Sequence, residues 1–261
     1  MSKIVVFGGD SFVERSGITW PTHMVKDSRF SEGMNVAKGG VGNKFIRMST
    51  MWGVEEQIKK GINPTNLLVI VSWSAPSRYS LYTNQSDINL GKEYVGFELN
   101  TDFTQSTSSD NFVYMPFCGP WDNPTNQIYY QSIENKENSI IDTLHDILYL
   151  QQYLKNKGID YIMLTSWNII DTPYDIWDHE YKRCGDSTCL KSERLNKPEY
   201  KWIIDLIDLE KFIPLKGQWE WTNKNFIGRE KDPNSHHPLD HEHLSFTEQI
   251  IIPFYENLYG E

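Results

Sequence analysis

Cysteine is nearly missing from this chain: its 261 residues hold three, Cys118, Cys184 and Cys189. An odd, low count excludes a secreted disulfide framework as the source of stability. Cys184 and Cys189 are close enough in sequence for a local bridge, but two free thiols are the expected state. Long apolar runs are missing too. The strongest, Leu67-Leu68-Val69-Ile70-Val71, is far too short to cross a bilayer. The start, Met1 to Phe7, has neither an apolar h-region nor a small-residue cleavage site, so no signal peptide and a cytoplasmic location are expected. Positive charge is in deficit, with 25 Lys and Arg against 35 Asp and Glu and a net charge of −10. Such a surface repels phosphate backbones and anionic lipid, so neither nucleic acid nor a membrane is an expected partner. No internal repeat or low-complexity tract divides the chain, and its length suits one α/β domain over residues 1–261.

What is present is an alternation of short apolar runs with helical patterns, the signature of a parallel sheet covered on both faces. Ile4–Phe7, Asn35–Ala37, Leu67–Ser72, Tyr161–Thr165 and Phe212–Leu215 read as strands. Thr19 to Arg29, Lys44–Lys60, Ser139 to Leu154, Tyr200–Phe212 and Phe246–Leu258 read as helices, the last bent or broken at Pro253. Two polar, aromatic stretches, about 79–136 and 173–198, follow neither period. Long segments of this kind in an α/β domain are expected as functional loops, here on the ligand-binding side of the sheet.

Chemistry is concentrated near the two ends. Phe7-Gly8-Gly9-Asp10-Ser11-Phe12 follows directly on the first strand. A tight Gly-rich turn at a strand's end exposes the serine oxygen and brings the serine's own N–H to where an oxyanion forms. Near the other end, Asp240-His241-Glu242-His243-Leu244-Ser245 places an Asp three residues before a His. An imidazole takes the serine proton, and a carboxylate fixes its tautomer. The neighbouring His236 and His237 raise the thought of a metal, but Pro238 interrupts any helix that would align ligands, and no metal or other cofactor is expected. Asp171, Asp175, Asp178 and Glu180 are closely spaced and read as a solvated acidic loop rather than a glycosidase pair.

Together, Gly-Asp-Ser-Phe near the start and Asp-x-x-His-Leu-Ser near the end resemble the first and last sequence blocks of the SGNH/GDSL hydrolases. The resemblance implies a flavodoxin-like three-layer α/β/α sandwich around a mostly parallel five-stranded sheet. It implies Ser11 as nucleophile, with Asp240 and His243 as acid and base. The family's second block, an oxyanion glycine, is matched by Asn35 to Asn43, with Gly40 the preferred donor and Gly39 the alternative. The third block departs from the pattern. Where the family has Gly-x-Asn-Asp, this chain has Val71-Ser72-Trp73-Ser74-Ala75-Pro76. Ser74 is the expected substitute donor, with Asn43 or Asn168 as alternatives. The implied activity is hydrolysis of a carboxylic ester through an acyl-enzyme, on a small-molecule or carbohydrate ester, with a sugar O-acetyl group preferred. A silent glycan- or protein-binding module and an acyltransferase with the same residues are the competing readings.

Overall fold

The computed structural model describes residues 2–14, 18–84, 112–117, 128–168, 189–226 and 237–260. Its centre is a parallel sheet of β1 (Lys3–Gly8), β2 (Phe30–Asn35), β3 (Leu67–Trp73) and β6 (Asp160–Thr165), in the order β2-β1-β3-β6. A fifth position is held by one parallel bridge, Met163 to Phe212, with the Ile213 N–H donating to the Met163 carbonyl at 2.9 Å. The expected strand Phe212–Leu215 is thus reduced to a single rung. Away from this sheet, β4 (Tyr79–Asn84) and β5 (Phe112–Phe117) pair antiparallel.

Helices cover both faces. Among the described residues they are α1 (Ser11–Glu14), α2 (Trp20–Met24), α3 (Asn43–Lys59), α4 (Lys136–Lys157), α5 (Pro198–Ile204), α6 (Gln218–Asn225), α7 (Asp240–Phe246) and α8 (Ile252–Tyr259). The three-layer α/β/α architecture follows from the strand sequences. All seven residues of β3 are buried, as a central parallel strand requires. Val69, Val71 and Trp73 face one core with Phe45 and Ile46 of α3 and Leu144 and Ile147 of α4. Leu68 and Ile70 face the other with Trp20 of α2, Phe246 of α7 and Tyr255 of α8. Fully burying each such side chain contributes about 1.5–3 kcal/mol.

Several boundaries differ from those read in the sequence. Helix α4 starts at Lys136 because Asn135 caps it, accepting from the Glu137 and Asn138 N–H groups. Helix α2 stops at Met24 rather than near Arg29, and α5 stops at Ile204. Pro253 does not break the C-terminal helix. A π-helical turn at Thr247–Ile251 joins α7 to α8 and places Pro253 in the first turn of α8, where its missing N–H leaves no gap. Most of the two expected insertions, together with Cys118, Cys184 and the acidic run Asp171 to Glu180, lies outside the described residues. Among the described residues no helix is long and apolar enough to cross a membrane.

Candidate active site

Sheet order places the site. The chain leaves β1 for β2 on one side and then returns to β3 on the other, so a crevice opens between the turns that follow β1 and β3. Gly9, Asp10 and Ser11 form the first turn, and Ser74 to Arg78 form the second. Gly8 fits because α3 passes close by: a Cβ there would lie 2.0 Å from Thr50 Oγ1. A Cβ on Gly9 would lie 2.3 Å from Val13 Cγ2. The turn can therefore sink into the protein and present Ser11 at the start of α1.

Asp10 holds this turn from below and is fully buried. Its carboxylate accepts from the Phe12 N–H at 3.1 Å, from Ser166 Oγ at 2.8 Å and from Arg78 Nη1 at 3.2 Å. Arg78 Nη1 also donates to Ser74 Oγ at 3.2 Å, and its guanidinium lies 4.4 Å above the Trp167 ring. One buried charge pair therefore joins the turns after β1, β3 and β6. Phe12 packs edge-on to Trp167 with ring centroids 5.0 Å apart.

The imidazole that reaches the serine is His237. Its Nε2 stands 2.7 Å from Ser11 Oγ, and its ring lies 5.0 Å from that of Phe12. His243, the expected base, is buried at 1% exposure with Nδ1 3.0 Å from Gln218 Nε2. Asp240 instead meets His23 Nε2 at 2.7 Å, pinning α2 to the first turn of α7. The physical reason is the position of the helix start. Asp240 to Phe246 is helical, so His243 shares the inward face with Phe246 and points to the core. His237 lies outside that helix, directly before Pro238, which disfavours helical backbone there, and its ring reaches Ser11. This signal was present in the sequence. A His directly before a Pro stands outside the helix, whereas a His three residues before a Phe inside it lies on the buried stripe.

The second-block glycines sit beside the serine. A Cβ on Gly39 would lie 3.5 Å from Ser11 Cβ. The Gly39 N–H is engaged by Glu14 Oε2 at 2.8 Å, and Glu14 also pairs with Lys38. Gly40 follows with φ of 76°, a left-handed conformation that favours glycine. Asn43 does not act in the open: its Nδ2 donates to the Ser74 carbonyl and to Thr143 Oγ1, each at 2.9 Å, and its Oδ1 accepts the Ser74 N–H at 2.8 Å. Asn168 gives its N–H to Glu220 Oε1 at 2.9 Å. Glu220 is deeply buried beside the turn after β6, and that burial pushes its carboxyl up to about 7.

Solved structures similar to this chain include protein YxiM from Bacillus subtilis, with 13% identity and a TM-score of 0.50 over 99% of this chain. This chain spans 58% of the length of YxiM, and at such identity the likeness speaks for the fold alone. An acetyl xylan esterase, AlAXEase, aligns over 94% of this chain and 96% of its own, with 10% identity and a TM-score of 0.42. No curated protein matches the sequence. Residues 11–197 match a family of unknown function, DUF6071.

Proposed function

We propose, for a chain that belongs to the DUF6071 family of unknown function, that it hydrolyses carboxylic esters through an acyl-enzyme on Ser11. The observation that carries this reading is the 2.7 Å approach of His237 Nε2 to Ser11 Oγ, at the carboxyl end of a parallel sheet. It keeps the SGNH-type nucleophile turn and moves the base from His243 to His237.

In the first step His237 Nε2 accepts the Ser11 proton as Oγ attacks the ester carbonyl carbon. The carbonyl oxygen takes the negative charge. The N–H groups of Ser11 and Gly40 are the proposed donors to it, since Gly39 gives its N–H to Glu14. Ser74 is the proposed third donor. Arg78 donates into its Oγ, so the hydroxyl hydrogen is left to point at the oxyanion, polarised by the guanidinium. Asn43 serves this arrangement by fixing the Ser74 backbone on both sides. The intermediate collapses when His237 returns its proton to the leaving alcohol. Water, deprotonated by the same imidazole, then releases the acid and restores Ser11.

A fluorophosphonate probe tests the reading, because it phosphonylates only a serine activated by its surroundings. Mass spectrometry should find the adduct on the peptide carrying Ser11, with none formed in Ser11→Ala. An unlabelled wild-type protein would remove Ser11 as a nucleophile.

A further inference from the structure

Beyond Ser11 lies a cavity of about 740 Å³, between the first turns of α3 and α4, the segment 76–80 and the turn at 128–135. Its volume falls within the range of small-molecule sites. It shares a wall with the serine site. Arg78 lines it and also reaches Asp10 and Ser74. Asn43 lines it too, and holds Ser74.

The lining selects for chemistry. Tyr79 and Tyr129 stack with centroids 5.5 Å apart at 19°, giving apolar ring surface on one side. Glu134, Asp142 and Asp146 supply carboxylates on the other, set among Lys44 and Arg78, and Asn138 adds an amide; Asp146 also pairs with Arg47 at 3.2 Å. Three carboxylates against two cations leave no excess of positive charge to hold a phosphate or a carboxylate ligand, and a long acyl chain would strip all five charges of water without replacing it. A neutral polyol satisfies both sides: its C–H faces pack on tyrosine rings while its hydroxyls donate to carboxylates. The aromatic surface continues past the mouth. His145 lines the cavity and lies 5.9 Å from the Trp202 ring, and Trp202 is 54% exposed. A large aromatic ring left in water next to a cavity extends the footprint from one sugar to several.

We infer that this cavity and its Trp202 rim bind a neutral oligosaccharide chain, the alcohol portion of the ester cleaved at Ser11. The substrate role rests on the esterase reading, whereas the binding site does not.

The test uses Ser11→Ala protein and three neutral tetrasaccharides: xylotetraose, cellotetraose and chitotetraose. Isothermal titration should detect binding of at least one. Adding Tyr129→Ala should weaken that binding about tenfold, while Tyr129→Phe, which keeps the ring, should retain it. Trp202→Ala should weaken a tetrasaccharide more than the matching disaccharide. Circular dichroism shows whether each variant is folded. Binding of none of the three, or equal binding by folded Tyr129→Ala, overturns the inference. A protein that labels with fluorophosphonate yet binds no sugar loses the cavity and keeps the esterase. One that binds sugar yet fails to label loses the esterase and keeps the cavity.

Discussion

Arg78 Nη1 and Asp10 Oδ2 meet at 3.2 Å, with the carboxylate fully buried and the Arg78 side chain 17% exposed. The pair sits directly beneath the serine turn. Removing one partner of a buried ion pair leaves the other uncompensated. Arg78→Ala should therefore destabilise the protein by about 3 kcal/mol. Arg78→Lys should recover little, because an ammonium cannot reach Asp10 and Ser74 together while stacking on Trp167. Urea denaturation of the three proteins measures this. Equal midpoints would show that the pair does not hold the turn.

The two histidines separate the geometric assignment from the one the sequence suggested. His237→Asn should lower kcat for p-nitrophenyl acetate by at least about 100-fold. Asp240→Asn should change it by no more than roughly 0.5 kcal/mol in barrier, because Asp240 contacts His23 at the surface end of α7. His243→Asn should cost stability before activity, as its ring is packed against Gln218 in the core. Steady-state kinetics with thermal melts on the same samples distinguishes these. A silent His237→Asn with an inactive His243→Asn would return the base to His243.

Glu220 should make stability depend on pH. Burial raises its folded carboxyl from 4.5 to about 7, so the folded state holds its proton more tightly than the unfolded chain. That contribution is fully present below pH 4.5 and is lost as pH rises through 7. Glu220→Gln can still accept the Asn168 N–H but carries no charge. Its stability relative to wild type should rise between those pH values, by up to roughly 3 kcal/mol. Asp146, pushed up to about 6 by its own burial, gives a somewhat smaller total change of the same sign that the variant leaves in place. Parallel denaturation curves at pH 5 and pH 8 with an unchanged difference would refute the assignment.

Gly42 should resist substitution. A Cβ there would stand 2.3 Å from the Arg78 carbonyl oxygen, a backbone atom that cannot swing aside. Gly42→Ala should push the 76–80 segment off α3 at a cost of about 1–3 kcal/mol. The same shift displaces Arg78 from Asp10, so activity should fall along with the melting temperature. A variant with wild-type stability and rate would show that the segment is more yielding than its contacts imply.

Much of this was legible in the sequence. The strands β1, β3 and β6 and helix α3 announced themselves because burial on two faces, or on one helical stripe, leaves a period that sequence displays directly. The turn that carries Ser11 was legible because Gly8-Gly9-Asp10-Ser11 follows directly on an apolar strand, and it gained weight as a site only when paired with the histidine-rich segment near the other end. Which histidine stands beside Ser11 was harder to read: four lie within eight residues, and although Pro238 marks His237 as outside a helix, the choice depends on where α7 begins. Helix starts are set by capping and by tertiary contact, here the Leu239 N–H bonded to Glu242 Oε2 at 2.7 Å, more than by composition. The Asp10–Arg78 pair was invisible for another reason. Its partners are 68 residues apart, and neither has a local pattern that points to the other.

Ser11 and His237 are separated by 226 positions along the chain, yet they touch. A polypeptide emerging from the ribosome therefore carries its serine for most of its synthesis without the imidazole proposed to activate it. Refolding from denaturant should show the same order: secondary structure returns first, and the capacity to react with a fluorophosphonate returns only with the slowest phase that seats the 237–239 segment. Labelling of Ser11 is thereby a proofreading signal for the finished fold, silent in any species whose two ends have not yet met.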